Sequence, residues 1–478
     1  MQQHLEANQN VRSICSRWVF TATLKLETAT CCGGDASDVC DQSILRDARS
    51  GAPLIPGSTL AGALRGHLAD LHGGFRSIEA AEVSELFGGG RSVDQGDASP
   101  LVLWDSIGQL PDKLGFEFRD NVKIDTKTGT AEDHKKHDME VLPPGTCFPI
   151  TLELIVDDIS REPMLVSLLL AALGGLEKSE IALGIKRSRG FGQVSLSQTK
   201  VHRFDLSTAK GWMEWLHSDP QSPMPARVQV VNGFAKGVAR FLPSLPPVDD
   251  KRKRVSIEME LQMEGGILVR SGGSAVDDPD MVHLRSGDLP VLPGTGLAGA
   301  LRKQAMRIAG IVRKDKGDGH AWVERMFGPV QHGTHGQDLK LEASRLRVSE
   351  AAISEGSAMR VSRIQIDRFT QGVVNAALFD EQPHFAGKVK VRLELRNPQP
   401  GEAGLLLLLA RDLMEGEIPV GGSSSVGRGF LKASGGCVLV DGKETISLTG
   451  TEGIQSLEDR VKQFANANPI ANGKTQPL

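Results

Sequence analysis

The chain has 478 residues, 40% of them hydrophobic, and a formal net charge of −4, which leaves material for more than one core and no overall pull on a polyanion. With no tyrosine and only 4% aromatic residues, a surface that stacks bases on a row of rings is not expected, so any nucleic-acid contact has to come from local basic patches. Cys15, Cys31, Cys32, Cys40, Cys147 and Cys437 form no CxxC pair and no zinc spacing, which reads as free thiols in a reducing cytoplasm. The polar start MQQHLEANQN does not read as a signal peptide, and the run 405–410 is too short for a membrane span, so no membrane partner is expected.

In chain order, residues 17–28 alternate as a half-buried strand. A helix is expected from Pro56-Gly57, with Ser58 as its cap and Leu60, Leu64, Leu68 and Leu71 as its apolar stripe. Leu86-Phe87-Gly88 closes that region, and residues 101–105 read as a strand. A charged finger follows over 126–142, with Asp125 ordering its base, then a strand over 148–156 and an apolar helix over 163–176. Residues 184–192, GIKRSRGFG, form a glycine loop ahead of another strand. The proline-rich stretch 206–254 reads as a linker with a helix near Trp212 and Trp215, ending in a solvated KRKR run. The same order then recurs, giving domains at 1–205 and 255–440 and a polar tail at 441–478 whose last stretch is expected to be disordered.

The recurrence has numerical support. DQSILRDARSGAPLIPGSTLAG, from residue 41, is answered by DMVHLRSGDLPVLPGTGLAG, from residue 280, with Pro56 and Pro293 separated by 237 residues. The Phe-Gly pairs at 87 and 327 lie 240 apart, and the Ile-Asp pairs ending at Asp125 and Asp367 lie 242 apart. Gly184, Gly190 and Gly192 are answered by Gly421, Gly427 and Gly429, each 237 residues on. Landmarks in one order at nearly constant offset indicate a duplicated domain. Strand, helix, strand, finger, strand, helix, glycine loop, strand suits an α+β, ferredoxin-like sheet with an insertion.

Neither glycine loop ends in Gly-Lys-Ser/Thr, so a nucleotide-hydrolysing phosphate loop is not expected, and both lie after a helix, unlike a dinucleotide fingerprint. A tight helix-to-strand turn would use such glycines too. The pairing of two loops, with Lys186, Arg187 and Arg189 in the first, favours binding of RNA phosphates by Gly190, Gly192, Gly427, Arg428 and Gly429.

The repeated Pro-Gly-Ser/Thr-x-Leu-x-Gly-x-Leu-Arg start, the Phe-Gly pair, the Ile-Asp-x-x-Thr segment and the glycine loop together resemble the RAMP superfamily. The halves look specifically like the backbone subunits of type III CRISPR effectors, in a fused, III-D-like form. The resemblance covers about 17–200 and 255–435 and implies two RRM-like domains with thumb hairpins near 126–142 and 370–385. It implies binding of CRISPR guide RNA, with Ser58, Arg65, Thr295 and Arg302 of the helix starts as further RNA contacts. It also implies target RNA and other type III effector subunits as partners.

In that family a loop aspartate upstream of the Pro-Gly helix cuts target RNA beside each thumb with a divalent metal. Asp41, in Asp-x-x-Ile-x-Arg, matches, which makes it the first catalytic and Mg2+- or Mn2+-binding candidate. Asp280 matches by its distance to Arg285, but His283 replaces the apolar residue and Asp277 and Asp278 crowd the same loop. The 2′-hydroxyl of a displaced nucleotide can reach in-line geometry, and a carboxylate can hold the metal or act as base. Three alternatives stand beside this: carboxylates that only cap turns, a non-catalytic RNA scaffold, and an endoribonuclease that trims guide precursor. The last calls for a general acid–base histidine, and His134 and His137 of the first finger have no counterpart at a second-half landmark.

Overall fold

A computed structural model describes residues 13–34, 40–89, 98–125, 128–219, 222–272, 278–329, 342–442, 444–448 and 451–467. Two compact units result. Residues 1–118, 139–185 and 192–252 form the first, and residues 119–138, 186–191 and 253–478 form the second.

The first unit takes its chain order from β1 (Ser16–Leu26), β2 (Leu54–Ile55), α1 (Gly57–Gly73), α2 (Ala81–Phe87), β3 (Leu101–Leu103) and β4 (Ser106–Ile107). There follow β7 (Cys147–Val156), α3 (Glu162–Glu177) and β8 (Val194–Asp205), preceded in the chain by the hairpin strands β5 (Glu117–Ile124) and β6 (Ala131–Val141), whose residues 119–138 belong to the second unit. The sheet runs β3-β7-β1-β8 with every neighbour antiparallel. A βαββαβ chain folded in that strand order is the ferredoxin-like arrangement, and the hairpin β5–β6 is its insertion. Central β1 buries Trp18, Phe20, Leu24 and Leu26 completely, and α1 and α3 lay their leucines on the sheet.

Two local expectations change. Ser58 is exposed and does not cap α1; Pro56 precedes the helix, and the Asp105 carboxylate accepts the Gly57 N–H at 2.7 Å. A distant acid therefore neutralises the helix start. The stretch 206–254 carries α4 (Ala209–Leu216) and α5 (Phe234–Val238), and Phe234 and Val238 are fully buried. Within KRKR, the Arg252 side chain is buried and donates to Glu180 and Asp250, so the run is held to the fold there.

The second unit repeats the plan. It comprises β9 (Arg254–Glu264), β10 (Met281–His283), β11 (Leu289–Leu292), α6 (Gly294–Val312), α7 (Gly319–Phe327), β12 (Leu346–Val348) and β13 (Ala351–Ser354). Next come β14 (Val361–Ile366), β15 (Val373–Gln382), β16 (Lys388–Arg396), α8 (Glu402–Met414), β17 (Phe430–Asp441), β18 (Glu444–Ser447) and α9 (Thr451–Asn466). Strands β12, β16, β9 and β17 neighbour one another in the order of the first sheet, again antiparallel. Ile257, Met259, Leu261 and Met263 of β9 alternate into the core, while Glu258, Glu260 and Glu264 point out. The 441–478 tail includes β18 and α9, whose Phe464 is fully buried against Trp322; residues 468–478 lie outside the described residues.

The fingers are hairpins set earlier than expected, β5–β6 and β14–β15. Asp125 and Asp367 sit at their tips and not at their bases. The Asp125 carboxylate accepts the N–H and hydroxyl of Thr128 at 2.8 and 3.2 Å, and Asp367 does the same for Thr370 at 2.7 and 2.9 Å. Among the described residues no helix is long and apolar enough to cross a membrane.

Candidate nucleic-acid interface

Both acidic loops are built in one way. Asp41 is exposed and directly precedes Gln42, which bridges in parallel to Met139 of β6. Asp280 is exposed and directly precedes Met281, which pairs in parallel with Glu381 of β15. Each aspartate therefore stands where a short strand joins the returning strand of a hairpin. In the first loop, Glu140 of β6 accepts the Ile44 N–H at 3.2 Å and pairs with Arg46, whose guanidinium lies 3.7 Å over the Phe116 ring. In the second, Asp280 Oδ2 accepts the Asp380 N–H at 2.9 Å, and Arg285 donates to the Asp288 carbonyl of its own turn. Asp278 is exposed, and Asp277 lies outside the described residues.

His283 takes the place of Ile44 and is buried. Its Nδ1 accepts the Val269 N–H and its Nε2 faces the Val291 carbonyl, both at 3.1 Å, which requires the neutral imidazole protonated on Nε2. Burial, with His384 beside it, pulls its pKa down to about 4. A histidine held neutral in the fold contributes stability that is complete above its unfolded pKa and is lost as pH falls toward the folded one. Unfolding measured between pH 7 and pH 4.5 is therefore expected to show on the order of 2–3 kcal/mol lost through this group. His283→Leu should flatten that dependence.

The glycine loops answer to the fold first. A Cβ on Gly184 would stand 2.2 Å from the Cys31 carbonyl oxygen, and one on Gly421 2.6 Å from that of Leu268. Gly192 and Gly429 meet the carbonyls of Leu183 and Val420 at 1.8 and 2.1 Å. The outer glycines are thus required by backbone crossing backbone, whatever ligand the loops take.

The cations divide. Arg187 is exposed, and Lys186 Nζ lies 3.0 Å from His137 Nε2 of the first hairpin. Arg189 donates to the Ser344 hydroxyl and the Leu346 and Phe327 carbonyls, all at 3.4 Å, and Arg302 donates to the Gly328 carbonyl at 2.9 Å. Burial and the nearby Arg302 lower the Arg189 pKa to about 10, and burial also lowers that of Arg302. Two desolvated guanidiniums close together would gain from an anion. Arg65 is clamped by Glu79 through both carboxylate oxygens, and Arg428 is buried on Glu381, which also meets Arg363. Thr295 lies half-buried in the first turn of α6.

The sequence profile of the RAMP superfamily matches residues 23–195 and again residues 260–432, the two spans offset by 237 residues at both ends. Together they cover well over half of the chain. The chain belongs to the RAMP superfamily. RAMP domains generally bind guide RNA in CRISPR complexes, and both copies here carry the ferredoxin-like sheet that such a domain needs. A search of curated proteins finds no match.

Among the described residues, no group of three His, Cys, Asp or Glu side chains could enclose a metal ion. Exposed Asp41 and Asp280 would each offer a carboxylate to an ion such as Mg2+ that takes its other ligands from substrate phosphates and water.

The hairpins of this RAMP protein also carry residues that the sequence reading passed over. Phe369, at the second tip, is 90% exposed, with Ile364, Ile366, Val373 and Leu378 exposed along the strands. On the first hairpin Phe118, Val122 and Ile124 are exposed. The available signal was an apolar alternation with no partner element to cover it.

Proposed function

We propose that the chain is a tandem, III-D-like backbone subunit of a type III CRISPR effector that binds guide RNA and cuts the paired target RNA. The observation that carries this is the equivalent placement of Asp41 and Asp280, each exposed at the foot of a hairpin and one residue ahead of the parallel pairing. An exposed apolar hairpin with Phe369 at its tip suits insertion between stacked bases, which splays the nucleotide beside it. The target's own 2′-hydroxyl then attacks the adjacent phosphate as its proton is taken up, the P–O5′ bond breaks, and the products are a 2′,3′-cyclic phosphate and a 5′-hydroxyl end protonated from water. Asp41 and Asp280 accept a proton or orient the phosphate at that point, and a bound Mg2+ or Mn2+ would supply charge stabilisation of the phosphorane.

The test is alanine substitution of each aspartate in the assembled complex, read as individual cleavage products. A second reading, an RNA scaffold whose neighbour does the cutting, is favoured at the second site by the hydrogen bond that already engages Asp280. The same substitutions separate the two readings.

Guide binding has its own readout. Lys186→Ala with Arg187→Ala is expected to weaken RNA binding and to reduce the slope of log affinity against log salt by roughly 1–2. An unchanged slope would remove both side chains from the interface.

A further inference from the structure

Residues 302–316 include six lysines and arginines against one aspartate, in a chain whose formal net charge is −4. The equivalent stretch of the first copy, 65–79, has two arginines against two acids. The concentration of positive charge is therefore particular to the second unit and is no demand of the shared fold.

Part of it is structural. Arg302 donates to the Gly328 carbonyl. Arg313 is 1% exposed and donates to Asp318 and to the carbonyls of Phe464 and Ala467, and Lys316 donates to the Ala465 carbonyl at 2.9 Å. These contacts fix the end of α6 against the end of α9 and occupy their cations. Lys303, Arg307 and Lys314 are left over. All three are exposed, and among the described residues none of them pairs with a carboxylate. Lys303, Arg307 and Gly310 share one face of α6 at i, i+4 and i+7, and Lys314, in the turn Lys314–Lys316, follows where the next turn of that face would come. The helix dipole favours a cation at Lys314, just past the C-terminal end, but it gives no reason for Lys303 or Arg307 in the middle of the helix. In the first copy Gly66 and Asp70 stand in their places.

Gly310 opens the backbone along this face. A Cβ there would meet nothing within 4 Å, whereas one on its first-copy equivalent, Gly73, would stand 1.9 Å from the Ser77 hydroxyl oxygen. Glycine inside a helix costs about 1 kcal/mol relative to alanine, and no crowding requires it here. A rise of about 1.5 Å per residue puts Lys303 and Lys314 about 16 Å apart along the axis, with Lys314 about 30 Å from the helix start at Gly294. A stacked strand advances about 3.4 Å per nucleotide, so the stripe runs beside about five phosphates.

We propose that the outer face of α6 binds a second nucleic-acid strand, one other than the guide, through its phosphates. Three point charges in a line, with open backbone at Gly310, suit a sugar-phosphate chain held without regard to its bases. Residues 302–316 contain no aromatic side chain, so stacking contributes nothing and no sequence preference is expected. An acidic protein surface would answer the charges, but not their match to the rise of a strand or the open backbone at Gly310.

The test is strand binding by the full-length protein already saturated with guide RNA. Labelled oligouridylate and oligothymidylate, neither complementary to the guide, are titrated at several salt concentrations. One further strand should bind per chain, with log affinity falling against log salt at a slope of about −2, as three phosphate contacts give on a single strand. Binding of either oligonucleotide supports the proposal, and the stronger of the two arms tells ribose from deoxyribose. The triple variant Lys303→Gln, Arg307→Gln, Lys314→Gln should weaken this second binding about tenfold or more and flatten its slope, with guide affinity and thermal midpoint unchanged. Absence of a second strand, or second binding that survives the triple variant, would overturn the proposal. Guide affinity that falls with the triple variant would also overturn it and give the stripe to the guide. Labelled polyglutamate bound as tightly as the oligonucleotides would overturn it in favour of an acidic protein.

Discussion

Alanine at Asp41 is expected to slow target cleavage at the first hairpin by about 10²–10⁴-fold, the range for loss of a positioned proton-transfer group, with guide binding unchanged. The carboxylate is exposed, and its neighbours Ile44 and Arg46 are held by Glu140 of β6. Alanine at Asp280 should remove the product belonging to the second hairpin. Because Asp280 also accepts the Asp380 N–H, part of its effect would come from a shifted hairpin, and Asp280→Asn, which keeps an acceptor oxygen, separates the two contributions. Loss of one product per substitution supports two cutting sites. Retention of every product in the double variant would sink the catalytic assignment and leave the scaffold reading standing.

Glu162→Ala is expected to destabilise the first unit by about 3–5 kcal/mol, the usual consequence of stripping the partner from a buried charge. Glu162 is 3% exposed at the start of α3 and receives Trp18 Nε1 at 2.7 Å, Arg203 at 2.8 and 3.1 Å, and the Ser16 hydroxyl. Burial works to raise its pKa, but the donors from Arg203, Ser16 and Trp18 outweigh it and hold the carboxyl below its ordinary value. A depressed carboxyl contributes stability above its unfolded pKa and loses it as pH falls through the folded one, so the alanine variant should also lose part of the acid sensitivity. A thermal midpoint lowered by roughly 10 °C would meet the expectation, and one within a degree or two of wild type would refute it. Glu402 opens α8 in the same place, with Arg345 donating to both of its oxygens, so the device is duplicated with the fold.

The duplication was legible in the sequence because it rests on local backbone demands that few residues satisfy. Pro56-Gly57, Phe87-Gly88 and the glycine loops each force a particular turn and leave an unmistakable residue behind. The two ferredoxin-like sheets followed from element order. What escaped were the long-range partners. Nothing near Ser58 announces that Asp105 will take the Gly57 N–H, and nothing near Arg189 announces the carbonyls of Phe327 and Leu346. Phe369 escaped for the opposite reason. Alternation around Ile364, Ile366 and Leu378 predicts a face turned to a core, and no core is there. For the site itself, motif spacing located the two acidic loops, while their common footing on β6 and β15 required three dimensions.

Residues 119–138 and 186–191 belong to the second unit although the chain reaches them in the midst of the first. Arg119, buried against Glu350, and the turn on Gly294 are threaded in from far upstream. A fragment begun at Lys253 would carry the whole second profile match and still be missing pieces of its own interior. On the ribosome, this unit borrows from a stretch made long before its sheet exists.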